Sequence, residues 1–190
     1  MARASLKEQL VTRSAPVFLE RGYNAASVND IVQAAGVPKG SFYNHFVSKE
    51  QLAIEVLARY VDDLGLRELA KPEGSPLEQL RQHLEANIAA REAAGIQYGC
   101  LLGNFSTDAV ALNDQLREAV TQGFARWIGA VATTIARAQA AGEVGNDADA
   151  HALAGYVVAS FEGAIAQAKT LRTDAPITDF LSVTFDTVLR

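Results

Sequence analysis

The chain has 190 residues, a single cysteine, 49% hydrophobic residues and a formal net charge of −5. That apolar content can fill a sizeable core, and the lone cysteine excludes an internal disulfide framework. No apolar run is long enough to span a bilayer and no secretory-signal pattern opens the chain, so a soluble, cytoplasmic protein is expected. Abundant alanine and only five prolines favour an all-α fold. The charge is unevenly spread. Residues 1–60 carry seven Lys/Arg against five acids, which leaves them at +2 and the remainder at −7. A mildly basic head on an acidic body can bind phosphate locally while the body opposes indiscriminate binding.

The first helix is predicted to start at Ser5, with Glu8 three places later in a capping-box pattern, and to end at Gly22. Leu6, Leu10, Val17 and Leu19 supply its apolar positions. Pro16 lies inside it, where the missing N–H removes one backbone bond and invites a kink. Arg3, ahead of the helix, is either a phosphate or minor-groove contact or part of an unstructured terminus.

The stretch from Ser27 to Phe46, SVNDIVQAAGVPKGSFYNHF, reads as helix, tight turn, helix. Val28, Ile31 and Val32 share one face, and Ser27 with Asp30 forms a second capping-box pattern. Gly36 suits a left-handed exit and Pro38 suits the first turn of the next helix. Phe42 and Phe46, four apart, turn inward, which leaves Lys39, Gly40, Ser41, Tyr43, Asn44 and His45 on or near the other side. A short helix with an aromatic inner face and a small, polar, cationic outer face suits a DNA major groove. Lys39 can donate to guanine or phosphate, Gly40 allows close backbone approach, and Ser41 and Asn44 can read base edges or stay hydrated. Ser27 can both cap its helix and touch phosphate.

The residues AAGVPKGSFYNHFVSKEQL, with ERGYNAAS before them, closely resemble the helix-turn-helix of the tetracycline-repressor (TetR) family of bacterial transcription regulators. The resemblance implies a double-stranded DNA partner with a palindromic operator, a homodimer, a small-molecule effector, and backbone contacts from Tyr43 and His45. It also implies a helix-turn-helix domain over 1–48 and a helical effector-binding and dimerisation domain over 49–190, about nine helices in all.

Beyond the turn, Ser48 and Gln51 form a third capping box, and a long helix is predicted from Lys49 to Leu69. Lys49, at the positive end of that helix, is a candidate phosphate contact. KPEGSP at 71–76 is a break. Ser75, Pro76 and Glu78 then open a helix to Ala94, striped by Leu77, Leu80, Leu84 and Ile88 and stopped by Gly95. A connector leads to a short helix over Leu101 to Val110. Further helices are predicted from Asn113 or Asp114 to Ala141, from Ala148 to Leu171, and from Pro176 to Leu189. Gly155, Ala159 and Gly163 recur every four residues, so another backbone can approach closely. The row is read as a dimer seam or as packing within one chain.

Two sensing devices are open. His83, Tyr98, Asn104, Phe105, Phe124, Trp127 and Tyr156 can supply aromatic walls and polar handles to an effector pocket between body helices. Cys100, in a Gly-Cys-Leu segment at a helix start, is either a reactive thiol or a buried small hydrophobe. The Gly-Cys-Leu segment resembles one in a subset of TetR-like regulators that includes responders to electrophiles or oxidants. The three histidines show no metal-ligand spacing, and no nucleotide or nucleophile-elbow motif is present, so no metal, no cofactor and no enzymatic activity are expected. A thiol-dependent enzyme using Cys100 and a DNA-binding adaptor without an effector are the competing classes.

Overall fold

The computed structural model describes residues 5–109, 111 and 113–190. Among them are nine α-helices and no strand: α1 (Leu6–Ala25), α2 (Val28–Ala35), α3 (Lys39–Tyr43), α4 (Lys49–Asp62), α5 (Pro76–Ala94), α6 (Leu101–Asp108), α7 (Asp114–Ala140), α8 (Ala150–Leu171) and α9 (Ala175–Val183). Short 3-10 turns cover Glu68–Ala70 and Ile96–Tyr98, and a π-helical turn, Thr184–Val188, follows α9. Arg3 and Val110 lie outside the described residues.

The chain forms two compact units, one of residues 1–62 and 101–123, the other of residues 63–100 and 124–190. In the first, α1 opens as its sequence dictates, with the Glu8 N–H donating to Ser5 Oγ at 3.1 Å. Pro16 leaves the helical dihedrals intact; the break comes at Gly22, whose φ of 74° and ψ of 168° interrupt the element before one last turn. Leu10, Val11, Val17 and Phe18 face the core. Phe18, Tyr23 and Phe105 form an aromatic cluster with centroids 5.5 to 6.2 Å apart. Gly123 of α7 is small for a packing reason, since a Cβ there would lie 2.9 Å from Leu102 and 3.2 Å from Val61.

The second unit is built round α5, the rest of α7, α8 and α9. Trp127 and Phe161 are fully buried, and a run of edge-on rings links His83, Trp127, Phe161 and Phe180. Ser75 Oγ caps α5 by accepting the Glu78 N–H at 3.0 Å, and Pro76 occupies its first turn. Arg172 adopts a left-handed φ of 57° where α8 ends.

Two predicted boundaries differ. The helix that begins at Lys49 stops at Asp62, not Leu69. Gly65 turns left-handed at φ 76°, and Glu68–Ala70 tightens into a 3-10 turn instead. The last helix changes to π geometry from Thr184, although Ile177, Phe180 and Phe185 stay buried across the change.

Candidate DNA-reading surface and ligand cavity

The candidate reading surface starts with the reciprocal cap of α2. Ser27 Oγ accepts the Asp30 N–H at 3.2 Å, and the Asp30 carboxylate accepts the Ser27 N–H at 2.9 Å and its hydroxyl at 2.6 Å. Those two Ser27 groups, with Arg21 at 2.9 Å, hold the Asp30 carboxyl below the usual carboxylate range. Gly36, at φ 65° and ψ 33°, ends α2 in the left-handed region, and the Val37 N–H returns to the Val32 carbonyl at 3.0 Å. This closure fixes the exit from α2.

Pro38 stands at the N-cap of α3 and presets the extended dihedrals its entry needs. Phe42 and Phe46 are 0% and 1% exposed and anchor the helix from behind. Lys39, Gly40, Tyr43, Asn44 and His45 are exposed, and Ser41 is half-buried. Tyr43 rests edge-on against Phe42 at 5.1 Å, which orients its ring. A Cβ on Gly40 would meet nothing within 4 Å, so the space beside that glycine is open.

Lys49 is used differently from the simple expectation of a surface phosphate contact. Its ammonium donates to the Tyr23 and Ala26 carbonyls at 2.6 and 2.9 Å and lies 4.2 Å from the Tyr23 ring centroid. Desolvation lowers its pKa, with Asp108 pulling the other way. The α1 exit leaves carbonyls without helical partners, and this lysine supplies donors to them. Ser27 is likewise engaged locally, because its hydroxyl is spent on Asp30.

A polar row runs along the buried side of α5. His83, Asn87 and Arg91 recur every four residues and are 6%, 8% and 7% exposed. Trp127 Nε1 donates to His83 Nε2 at 2.9 Å. Asn87 Nδ2 donates to the Leu64 and His83 carbonyls, and Arg91 Nη1 to the Asn87 carbonyl at 2.6 Å. The Arg91 guanidinium also lies 5.0 Å from the Phe161 centroid. Near it, Glu162 holds one carboxylate oxygen, Oε1, sealed and without a hydrogen-bond partner. Burial pushes the Glu162 carboxyl up; Arg91 and a hydrogen bond from Cys100 oppose that rise. A cavity of about 450 Å³ lies between the 64–75 segment and the outer turns of α5, with His83 and Asn87 in its lining.

Two family models cover the sequence. Residues 10–56 match the model described as bacterial regulatory proteins, tetR family, and residues 76–184 match the tetracyclin repressor-like C-terminal domain. The chain belongs to the TetR family. It is 36% identical to the HTH-type transcriptional repressor DhaR of Mycobacterium sp. strain GP1, across all of this chain and 95% of that protein. It is 34% identical to the transcriptional regulator AcuR of Cereibacter sphaeroides, covering 93% of this chain and 83% of the relative. A crystal structure of a regulatory protein TetR from Rhodobacter sphaeroides superposes with a TM-score of 0.87 at 31% identity, covering 96% and 98% of the two chains. The protein is therefore a DNA-binding transcriptional regulator and not an enzyme.

Within this TetR-family chain the expected effector residues are scattered. His83 lines the cavity, and Trp127 lies behind it. Phe105 is instead a core ring of the first unit, packed on Phe18 and Tyr23, because α6 turns it onto α1. Tyr156 is 51% exposed and borders a surface groove between α8 and α9. Tyr98, Asn104 and Phe124 are half-buried and outside the His83 cavity. Cys100 is 2% exposed, immediately before α6. Asn87, Arg91 and Glu162 were not expected. Their signal was present as polar residues interrupting the apolar faces of α5 and α8, and Asn87 and Arg91 continue the four-residue spacing of His83.

Gly155 is half-buried, while Ala159 and Gly163 are exposed; a Cβ at either glycine would meet nothing within 4 Å. Neither glycine is thus close-packed against another helix among the described residues.

Proposed function

We propose that the protein is a homodimeric, cytoplasmic repressor that binds a palindromic operator and leaves it when a small molecule occupies its helical body. The observation that carries the DNA reading is the division of α3, with Phe42 and Phe46 locked inside while Lys39, Tyr43, Asn44 and His45 stand outside. In this reading Lys39 and Asn44 face base edges, and Tyr43 and His45 hold the backbone. Ser41 and Gly40 shape the approach. Lys49 and Ser27 act from behind by fixing the α1 exit and the α2 entry, each retaining only secondary capacity for phosphate.

The uncovered Gly155, Ala159 and Gly163 row supports a two-fold seam. It adjoins a groove of about 380 Å³ bordered by Tyr156, Phe180 and Val183, and Tyr156 and Val183 are large exposed apolar side chains. Two copies paired there supply two copies of α3, as a palindrome with half-sites in successive major grooves about 34 Å apart requires. The Mycobacterium relative is a transcriptional repressor, which supports that direction of control. The burial of Cys100 favours a non-covalent effector over direct thiol modification.

The test is a footprint on inverted-repeat DNA combined with sedimentation of the same sample. Protection of a palindrome by a species of twice the chain mass supports the reading. A strictly monomeric protein with equal affinity for random duplexes removes it.

A further inference from the structure

The His83 ring carries information about what the cavity can hold. Its Nε2 takes the Trp127 indole N–H. An indole nitrogen only donates, so Nε2 is the acceptor and the neutral ring bears its proton on Nδ1. Burial, reinforced by Arg91, pushes the imidazole pKa down to about 4, so the neutral form is the one present near pH 7. The polar atom facing Nδ1 is Asn87 Nδ2 at 3.5 Å. That nitrogen already donates to the Leu64 carbonyl at 3.1 Å and the His83 carbonyl at 2.8 Å. Turning the amide over would aim its oxygen at both carbonyls, so its orientation is fixed. Two donors therefore face each other. The Nδ1–H finds no acceptor among the described residues, and Asn87 Oδ1 is not used as an acceptor there. A nearly buried donor left in this state is costly unless a ligand or water completes it.

Both residues line the 450 Å³ cavity, and its outer wall is held in place. Arg137 donates to the Leu69 and Lys71 carbonyls at 3.0 and 2.7 Å, and Thr134 to the Leu69 carbonyl at 3.2 Å. The lining contains Glu68, Glu73 and Glu78, all exposed, against Lys71, which is ion-paired with Glu68. That charge balance repels anions and attracts cations. The inner end offers a donor beside an acceptor, the pattern a hydroxyl group satisfies with one atom.

We propose that this cavity binds a small hydroxylated amine, an amino sugar or amino alcohol, with a hydroxyl between His83 Nδ1–H and Asn87 Oδ1 and the ammonium toward Glu73 and Glu78. Binding stands on the cavity alone; its power to release DNA rests on the effector reading above.

Trp127 is the only tryptophan, and its indole is bonded to the ring in question, so its emission reports occupancy. Glucosamine titrated into the full-length protein is expected to change that emission saturably, with a dissociation constant of about 1 mM or tighter. Gluconate, of similar size and opposite charge, binds at least about ten-fold more weakly. Glu73→Lys, at an exposed loop position, narrows that gap without moving the melting temperature, and Asn87→Ala weakens glucosamine in any sample that remains folded. The proposal is overturned if neither glucosamine nor ethanolamine gives an emission change or calorimetric heat, as a site filled by water alone would behave. Equal affinity for gluconate also overturns it. If glucosamine binds and the operator complex persists, the site stands and the effector reading fails. If another compound releases the operator while glucosamine never binds, the effector reading stands and this proposal falls.

Discussion

Asn24 and Asp108 clasp each other although 84 positions separate them in sequence. The Asn24 N–H donates to the Asp108 carboxylate at 3.2 Å, and the Asn24 amide donates to the Asp108 carbonyl at 2.7 Å. The pair joins the α1 exit to the end of α6, and it explains Gly22. A Cβ there would lie 2.7 Å from Asp108 Oδ2, on a backbone already at positive φ.

Gly22→Ala therefore meets both a conformational and a steric penalty. Thermal melts should show a loss of about 1–3 kcal/mol. Asp108→Ala removes the carboxylate half of the clasp, leaves the bond to its backbone carbonyl, and costs about 1 kcal/mol, because these bonds are exposed. In the double variant the steric part of the Gly22 cost disappears, so the two losses do not add. Strict additivity would show that Asp108 is not what Gly22 avoids.

Tyr43 and Lys49 should separate reading from scaffolding. Tyr43→Phe removes only an exposed hydroxyl, so the melt stays unchanged while operator affinity falls several-fold. Lys49→Ala strips donors from the Tyr23 and Ala26 carbonyls and lowers both stability and affinity. Gel shifts and melts on the two variants settle the matter. A fully stable Lys49→Ala protein would contradict the structural role.

His83 makes stability depend on pH. Its folded-state pKa, about 4, lies below the ordinary value of 6.5, so between them the unfolded chain binds the extra proton. Stability is thus fully present above pH 6.5 and declines as pH falls toward 4, by at most about 3 kcal/mol from this residue. Urea melts at pH 7, 5.5 and 4.5 should show the decline, and His83→Phe should flatten it.

Glu162 acts with the opposite slope. Burial raises its carboxyl pKa, so the folded state binds the extra proton and stability falls as pH rises from 4.5 through the raised value. Glu162→Gln keeps the shape and removes the buried charge. Its melting temperature at pH 7–8 should exceed the parent's, by the equivalent of about 1 kcal/mol. A lower melting temperature would mean that Arg91 requires the carboxylate.

The caps were legible in the sequence because they are local. Ser5, Ser27, Ser75 and Gly36 each need only neighbours within a few residues, and each stands where its pattern placed it. Lys49 was not legible in the same way. Its partners lie 26 and 23 residues away, and only the fold brings them under its ammonium. Phe105 could be read as apolar, yet nothing in its helix told the α1 core from a pocket wall. The Asn87, Arg91 and Glu162 cluster was hidden for a similar reason. Polar residues on an apolar face can be seen in sequence, but the Leu64 carbonyl, the Phe161 ring and Cys100, which they meet, lie on other elements.

The five-residue α3 owes its position to two phenyl rings, one within it and one just beyond. Its outward side chains carry almost none of the structural burden. Their identities can be exchanged while the frame behind them stays put, so under the proposed DNA reading the set of genes such a protein controls can be rewritten by changing a handful of letters at its tip.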